Sequence, residues 1–418
     1  MNAPEPRGRH LTQAGLDWQN GTGWLARMIS GGADRLVERI DAGIATGSIE
    51  AQLPDGSHRI VGGRAPGFAA QIRLHDWRAL LRLATGGSVG WYRAWQLGEW
   101  DSPDPVMIFA LFIANAGTLG SVGRAKGPWR LASRMLHRLR RNTKAGAQVN
   151  IAAHYDLGND LYAAWLDPTM SYSSAMFTDT TRDLEHAQFA KVDALADRLA
   201  LTPGDRVLEI GCGWGFLARR LADRHGADVT AISLSDEQLA YARERAEEEA
   251  LSIDFRRQDY RDVEGQFDAI ASVEMVEALG REYWPTYMDC IARNLKPGGR
   301  AAIQYISIRD DIFDAYASSA DFIQTYVFPG GLLIRTSEFR RLAEARGLSW
   351  QDQHDFGRDY AETLRIWREN FDRAVEDGLL PPGFDRGFVE LWRYYLMYCE
   401  GGFRGGGIDV HQVTLIRQ

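Results

Sequence analysis

The sequence predicts an α/β protein in which a doubly wound parallel sheet over residues 150–418 follows a smaller N-terminal α+β domain. Three observations lead there. From about Asn150 onward, short apolar strands alternate with helical stretches, the pattern of a parallel sheet whose crossovers are helices. One of those strands runs directly into a glycine loop that opens a helix. Before residue 150 the alternation is missing, and turn signals separate short mixed elements.

The chain of 418 residues is long enough for two or three domains at about 100 to 200 residues each. Apolar residues make up 45% and aromatics 11%, with 13 Trp, which excludes a disordered or low-complexity protein. The net charge of −8 argues against a surface given over to nucleic acid. Cys212, Cys290 and Cys399 are odd in number and far apart, so neither a disulfide framework nor a CxxC metal knuckle is available, and no metal is expected. A reducing cytoplasm fits that usage.

Residues 1–20 are polar, lack the apolar core of a leader, and are expected to fray. The N-terminal domain is placed at 21–123. It contains a helical stretch from Ala26 to Ala45, a turn at Pro54-Asp55-Gly56, an alternating AAQIRL strand, and helices near Trp77–Leu83 and Val106–Ala114. The last of these apolar runs is far shorter than the ~20 residues a bilayer span needs, so a soluble or peripheral protein is expected. Residues 124–149 form a linker with a local reversal of charge. Arg124, Lys126, Arg130, Arg134, Arg138, Arg140, Arg141 and Lys144 occur without an acid, interleaved with Trp129, Leu131, Met135, Leu136 and Leu139. The segment reads either as a solvated linker helix or as a basic amphipathic element lying on anionic headgroups.

The strands of the second domain are RVLEIG (206–211), DVTAISL (228–234), SIDFRR (252–257), FDAIASV (267–273) and RAAIQYISI (300–308). Helices such as Glu237–Glu249 and Tyr283–Leu295 alternate with them, and DVHQVTLIR closes the chain as an expected edge strand. In VLEIGCGWG, Gly211, Gly213 and Gly215 permit tight turns and a close ligand approach, and the helix that follows offers oriented N–H groups. The acid Glu209 lies inside this motif rather than about 20 residues on, which argues against a dinucleotide. SLSDEQ and QDYRD then bring Ser233, Leu234, Gln238, Asp259, Tyr260 and Arg261 to the C-terminal edge of the sheet, an arrangement that suits S-adenosylmethionine.

Taken in order, HYDLGNDLYAAWLDPTMSYSSAMF (154–177), LEHAQFAKVD (184–193), VLEIGCGWG, SLSDEQ, QDYRD, EMVEALG (274–280), YVFPGG (326–331) and FRGGGIDVHQVTL (403–415) resemble the cyclopropane fatty acid synthases and the related mycolic acid cyclopropane synthases. The resemblance implies a class I methyltransferase domain acting on an unsaturated acyl chain. The extra N-terminal domain is similar to the lipid-engaging domain of the phospholipid-acting members. A peripheral enzyme at the inner face of the membrane is implied, and a homodimer would let one protomer grip the membrane while the other works. By the same resemblance Tyr172 and Ser173 contact the methionine end of the cofactor, while Glu277, Tyr360 and Ile306 belong to a bicarbonate site. Cys399 matches a cysteine assigned a catalytic role, although a buried thiol commonly serves as a small apolar group and methyl transfer to an alkene needs no thiolate.

Three departures bear on the product. Ser174 stands where the family has a cysteine of the bicarbonate site, Gln304 where it has a histidine, and Ala278 where a histidine follows the site glutamate. Hydrogen-bonding capacity survives at the first two, but the acid–base character does not. Methyl transfer to an isolated alkene demands alignment in a dry pocket and leaves a carbocation that aromatic faces can stabilise. Tyr155, Tyr172, Phe177, Trp284, Tyr326, Phe328 and Tyr360 are candidates for that lining. The base then selects the product. Cyclopropane is what the resemblance implies, a methyl-branched or methylene chain is the alternative, and a binding protein that has lost turnover is the reading from another class.

Overall fold

The computed structural model describes residues 7–14, 30–120, 157–178, 183–318 and 321–418. The basic segment 124–149 and Tyr155 lie outside them. The described residues divide into two compact units, one drawn from Met1–Arg140, Asp311–Pro329 and Pro382–Ile408, the other from Arg141–Asp310, Gly330–Pro381 and Asp409–Gln418. This differs from the continuous segments expected from the sequence, because two stretches placed in the second domain pack into the first unit.

The first unit holds a four-stranded sheet of order β2-β1-β3-β4, made of β1 (Ser48–Gln52), β2 (His58–Gly62), β3 (Ala69–Leu74) and β4 (Trp100–Asp101). The turn read at Pro54-Asp55-Gly56 joins β1 to β2. Gly56 takes φ +84°, and Asp55 Oδ1 accepts from the amide (2.9 Å) and hydroxyl (2.6 Å) of Ser57. The all-apolar helix Pro105–Ala114 starts with proline in its first turn and an Asp104 cap on the amide of Val106, the arrangement helix starts favour. Its other side lies against the helix Arg386–Arg404. A Cβ on Gly401 would come 2.3 Å from Phe109 Cβ, so the glycines near FRGGG let the two helices approach. Residues 7–14, expected to fray, contain the short helix Arg9–Gln13 with Leu11 buried and the Arg7 guanidinium 4.6 Å from the ring centre of Phe384.

The second unit is built on a seven-stranded sheet of order β10-β11-β9-β8-β5-β6-β7. Its strands are β5 (Arg206–Ile210), β6 (Asp228–Ser233), β7 (Asp254–Arg257), β8 (Phe267–Val273), β9 (Leu295–Ile308), β10 (Leu348–Asp355) and β11 (Ile408–Arg417). The pairs β5/β6, β5/β8, β6/β7 and β8/β9 are parallel, while β10/β11 is antiparallel. The chain steps outward from β5 to β7 and then returns to the other side of β5 as β8. The C-terminal ends of β5 and β8 therefore flank a switch point, where open α/β sheets bind ligands. Val207, Val229, Ala231, Leu217, Leu221 and Leu239 pack the helices onto one face of the sheet.

One expectation is corrected. The closing DVHQVTLIR is not the edge strand: β11 is buried along its middle, between β9 and β10. The edge is LSWQDQHD, whose polar, mostly exposed side chains hid it in the sequence. A line of hydrogen bonds crosses the three neighbours, from Asp355 Oδ1 to His411 Nδ1 (2.7 Å) and from His411 Nε2 to Ser307 Oγ (2.6 Å).

Candidate active site

The glycine loop forms the floor of a cavity at the switch point. Gly211, Gly213 and Gly215 adopt φ of +83°, +53° and +81°, a region costly for side-chain-bearing residues. Their reasons differ. A Cβ on Gly215 would stand 2.7 Å from Ala242 Cβ and one on Gly211 3.1 Å from Met275 Sδ, whereas Gly213 faces open space. Gly211 and Gly213 line the cavity, and Gly215 caps the helix Phe216–His225 behind it.

Ser233, Leu234 and Gln238 line the next wall. The Ser233 hydroxyl donates to Gln238 Oε1 at 3.3 Å, and Ser235 caps the helix Asp236–Glu248 by accepting from the Gln238 amide. In QDYRD, Gln258 and Tyr260 face the cavity. Asp259 and Arg261 do not line it: the guanidinium donates to both carboxylate oxygens, at 2.8 and 2.6 Å, and stacks over the rings of Tyr260 and Tyr283. Tyr172 and Ser173 also line the cavity, the former seated among Tyr162, Trp165 and Trp367.

A second carboxylate, not singled out from the sequence, organises the inner end. Glu274 follows β8 with φ +50°, is partly buried, and lines the cavity. Its Oε1 accepts from the Ser174 amide (3.0 Å) and Gln304 Nε2 (2.9 Å), and its Oε2 from the Tyr360 hydroxyl (2.7 Å). Three residues assigned to an anion site thus converge on a carboxylate of the chain itself. Ser174 does so through its backbone, since its hydroxyl turns to the Ala175 carbonyl. Gln304 is oriented by Gln412, whose Nε2 donates to Gln304 Oε1 at 3.1 Å.

Glu277 sits one turn further on. Its Oε1 accepts from the Ile306 amide and its Oε2 has no hydrogen-bond partner among the described residues. Burial, helped by the charge of Glu274, pushes its carboxyl up to about 8. Burial raises Glu274 as well, but the Ser174, Tyr360 and Gln304 bonds oppose it. Of the two, Glu274 has more hydrogen bonds that favour the charged form. Lys191, also missed, lines the cavity from the helix Leu184–Asp197. Both lie in segments singled out from the sequence, EMVEALG and LEHAQFAKVD, but as one charge among several there.

The remaining candidates scatter. Cys399, Tyr326 and Phe328 belong to the first unit, and burial pushes the Cys399 thiol far above its ordinary value, leaving it a compact apolar group. Trp284 is buried with its Nε1 on the Val276 carbonyl, and Phe177 is tied by its amide to Asp359.

A glycine-floored cavity at the switch point of this seven-stranded sheet, with a carboxylate on its first strand, defines a class I S-adenosylmethionine-dependent methyltransferase. The chain belongs to the mycolic acid cyclopropane synthetase family, whose model matches residues 142–413. Tuberculostearic acid methyltransferase UfaA1 of Mycobacterium tuberculosis is 39% identical over 378 residues, covering 85% of each chain. The cyclopropane-fatty-acyl-phospholipid synthase of Escherichia coli is 35% identical over 358 residues, covering 85% of this chain and 90% of that one. The crystal structure of mycolic acid cyclopropane synthase CmaA1 complexed with SAH and CTAB superposes with a TM-score of 0.60 at 27% identity, covering 65% of this chain and 98% of that one.

Proposed function

We propose that the protein methylates the cis double bond of an unsaturated acyl chain in a membrane phospholipid, with Glu274 as the base and a methyl-branched or methylene chain as the product. The observation that carries this reading is the triple hold on Glu274 by Ser174, Gln304 and Tyr360. The residues fit the cofactor. Gly213 leaves open space where a Cβ would meet nothing within 4 Å, and Glu209 Oε2 is buried in the cavity wall without a hydrogen-bond partner among the described residues.

S-adenosylmethionine supplies an electrophilic methyl group bound to a sulfonium. The chain contributes position and dryness: Tyr172 and Ser173 line the same cavity as Gly211 and Gly213, and the Tyr162, Trp165 and Trp367 rings packed on Tyr172 keep water out. The alkene π pair forms the new carbon–carbon bond and leaves a cation on the neighbouring carbon. Proton loss from the added methyl with ring closure gives a cyclopropane. A hydride shift to the more substituted cation, then proton loss, gives a methylene or methyl-branched alkene. A carboxylate held by three hydrogen bonds reaches only the protons its fixed position allows, unlike a diffusible anion. That constraint, with the 39% identity to a tuberculostearic acid methyltransferase, favours the open chain. Because Glu274 takes up the Ser174, Gln304 and Tyr360 hydrogen bonds that were expected to serve bicarbonate, the reading includes no free anion.

The full chain, incubated with methyl-labelled S-adenosylmethionine and vesicles of unsaturated phospholipid, should return fatty acids heavier by one CH2 and carrying alkene protons by NMR. Ring-methylene protons instead would restore the cyclopropane reading, which the 35% identity to the Escherichia coli synthase supports. Unlabelled lipid despite cofactor binding would leave the binding-protein reading.

A further inference from the structure

Lys191 is 2% exposed, and among the described residues its ammonium makes one hydrogen bond, to Ser173 Oγ at 2.7 Å. A lysine carries three donors, and an enclosed ammonium with two of them unused is costly unless something else meets it. The charges around it come from three other elements: Glu209 on β5, Glu274 after β8, and Asp167 ahead of the Tyr172 loop. Glu274 is already taken by Ser174, Gln304 and Tyr360. Asp167 accepts from the Thr169 amide at 2.9 Å through one oxygen and keeps the other buried and unpartnered among the described residues, but it does not line the cofactor cavity. Glu209 keeps one oxygen buried and unpartnered among the described residues. Lys191, Ser173 and Glu209 all line the cofactor cavity.

One cavity thus presents an ammonium with spare donors and a carboxylate with a spare acceptor. Their complement is a group carrying both charges close together, the α-amino acid end of a ligand. We propose that Lys191 binds the α-carboxylate of the cofactor's methionine moiety, with Glu209 taking the α-ammonium, so that the two form a clamp for a zwitterion. Gln238 and Tyr260, which line the same cavity, are left for the nucleoside portion. The clamp also reconciles a buried lysine with a cationic cofactor, because the methionine carboxylate stands as the lysine's counter-charge.

The inference rests on the cofactor assignment, and binding measurements separate the two. The wild-type chain is titrated calorimetrically with S-adenosylhomocysteine, its decarboxylated analogue, and methylthioadenosine, which lacks the whole amino acid. A charge-assisted hydrogen bond to the carboxylate predicts at least about tenfold tighter binding of S-adenosylhomocysteine than of the decarboxylated compound. Lys191→Met should lose that preference while binding the decarboxylated compound as the wild type does, and Lys191→Arg should keep part of it. Equal affinity of the wild type for the two ligands overturns the clamp without any variant, as does a Lys191→Met loss shared equally by both. A wild type that binds none of the three overturns the cofactor assignment and the clamp together.

Discussion

Glu274 and Glu277, three residues apart, divide the work of one acidic pair. Burial raises both carboxyls, but at Glu274 three hydrogen bonds oppose the rise, while Glu277 has one partnered oxygen and is pushed up to about 8. Glu274→Gln should lower kcat by about 10² or more, the usual worth of a positioned base, while S-adenosylhomocysteine still binds in a titration. Wild-type turnover should be the same in carbon-dioxide-free buffer and with added bicarbonate, and stimulation by the anion would count against Glu274 as its substitute. For Glu277, the folded carboxyl binds a proton over a range where the unfolded one, at an ordinary 4.5, has lost it. Stability therefore falls as pH rises from 4.5 to about 8, by at most about 1.4 kcal/mol per pH unit. Glu277→Gln removes that slope, so its Tm should exceed the wild-type value at pH 8 and converge on it towards pH 4.5. EMVEALG displayed both acids, but nothing in the string says which one meets Ser174, 100 residues earlier, or Tyr360, 86 residues later.

At the scale of elements, glycine and burial decide more than propensity. The helix Arg386–Arg404 carries Gly401 at its contact with Pro105–Ala114, where an added Cβ would also lie 2.9 Å from the Val106 carbonyl oxygen. Helix propensity alone makes Gly401→Ala favourable by about 1 kcal/mol. The clash should win, and urea unfolding should show a net loss of about 1–3 kcal/mol, the cost of overpacking. β10 and β11 teach the same lesson from the other side. Polar LSWQDQHD did not register as a strand, and apolar DVHQVTLIR was placed at the edge, because hydropathy reports burial and only pairing reports order.

Across the whole molecule, the net charge of −8 coexists with eight basic residues between Arg124 and Lys144. That segment lies outside the described residues, and its role rests on charge alone. If it contacts anionic lipid, binding of the full chain to vesicles containing phosphatidylglycerol should weaken with added salt and on neutralising Arg138, Arg140 and Arg141, each worth about 1 kcal/mol near the surface. Binding indifferent to salt would point instead to apolar insertion. Among the described residues no helix is long and apolar enough to cross a membrane.

Local pattern was enough for the parallel sheet, the glycine loop, the turn at Asp55 and the cofactor class, because strand period, positive-φ glycines and capping residues act over a few residues. It was not enough for the membership of the two units, the strand order at the edge, or the partners of Glu274. Those depend on contacts between residues 30 to 190 apart, such as Gln304 with Glu274 and Ala175 with Thr363, which no local period encodes. Only the closed fold, by burying Glu274 where Ser174, Gln304 and Tyr360 could satisfy it, turned a site read as an anion receptor into one that carries its own carboxylate.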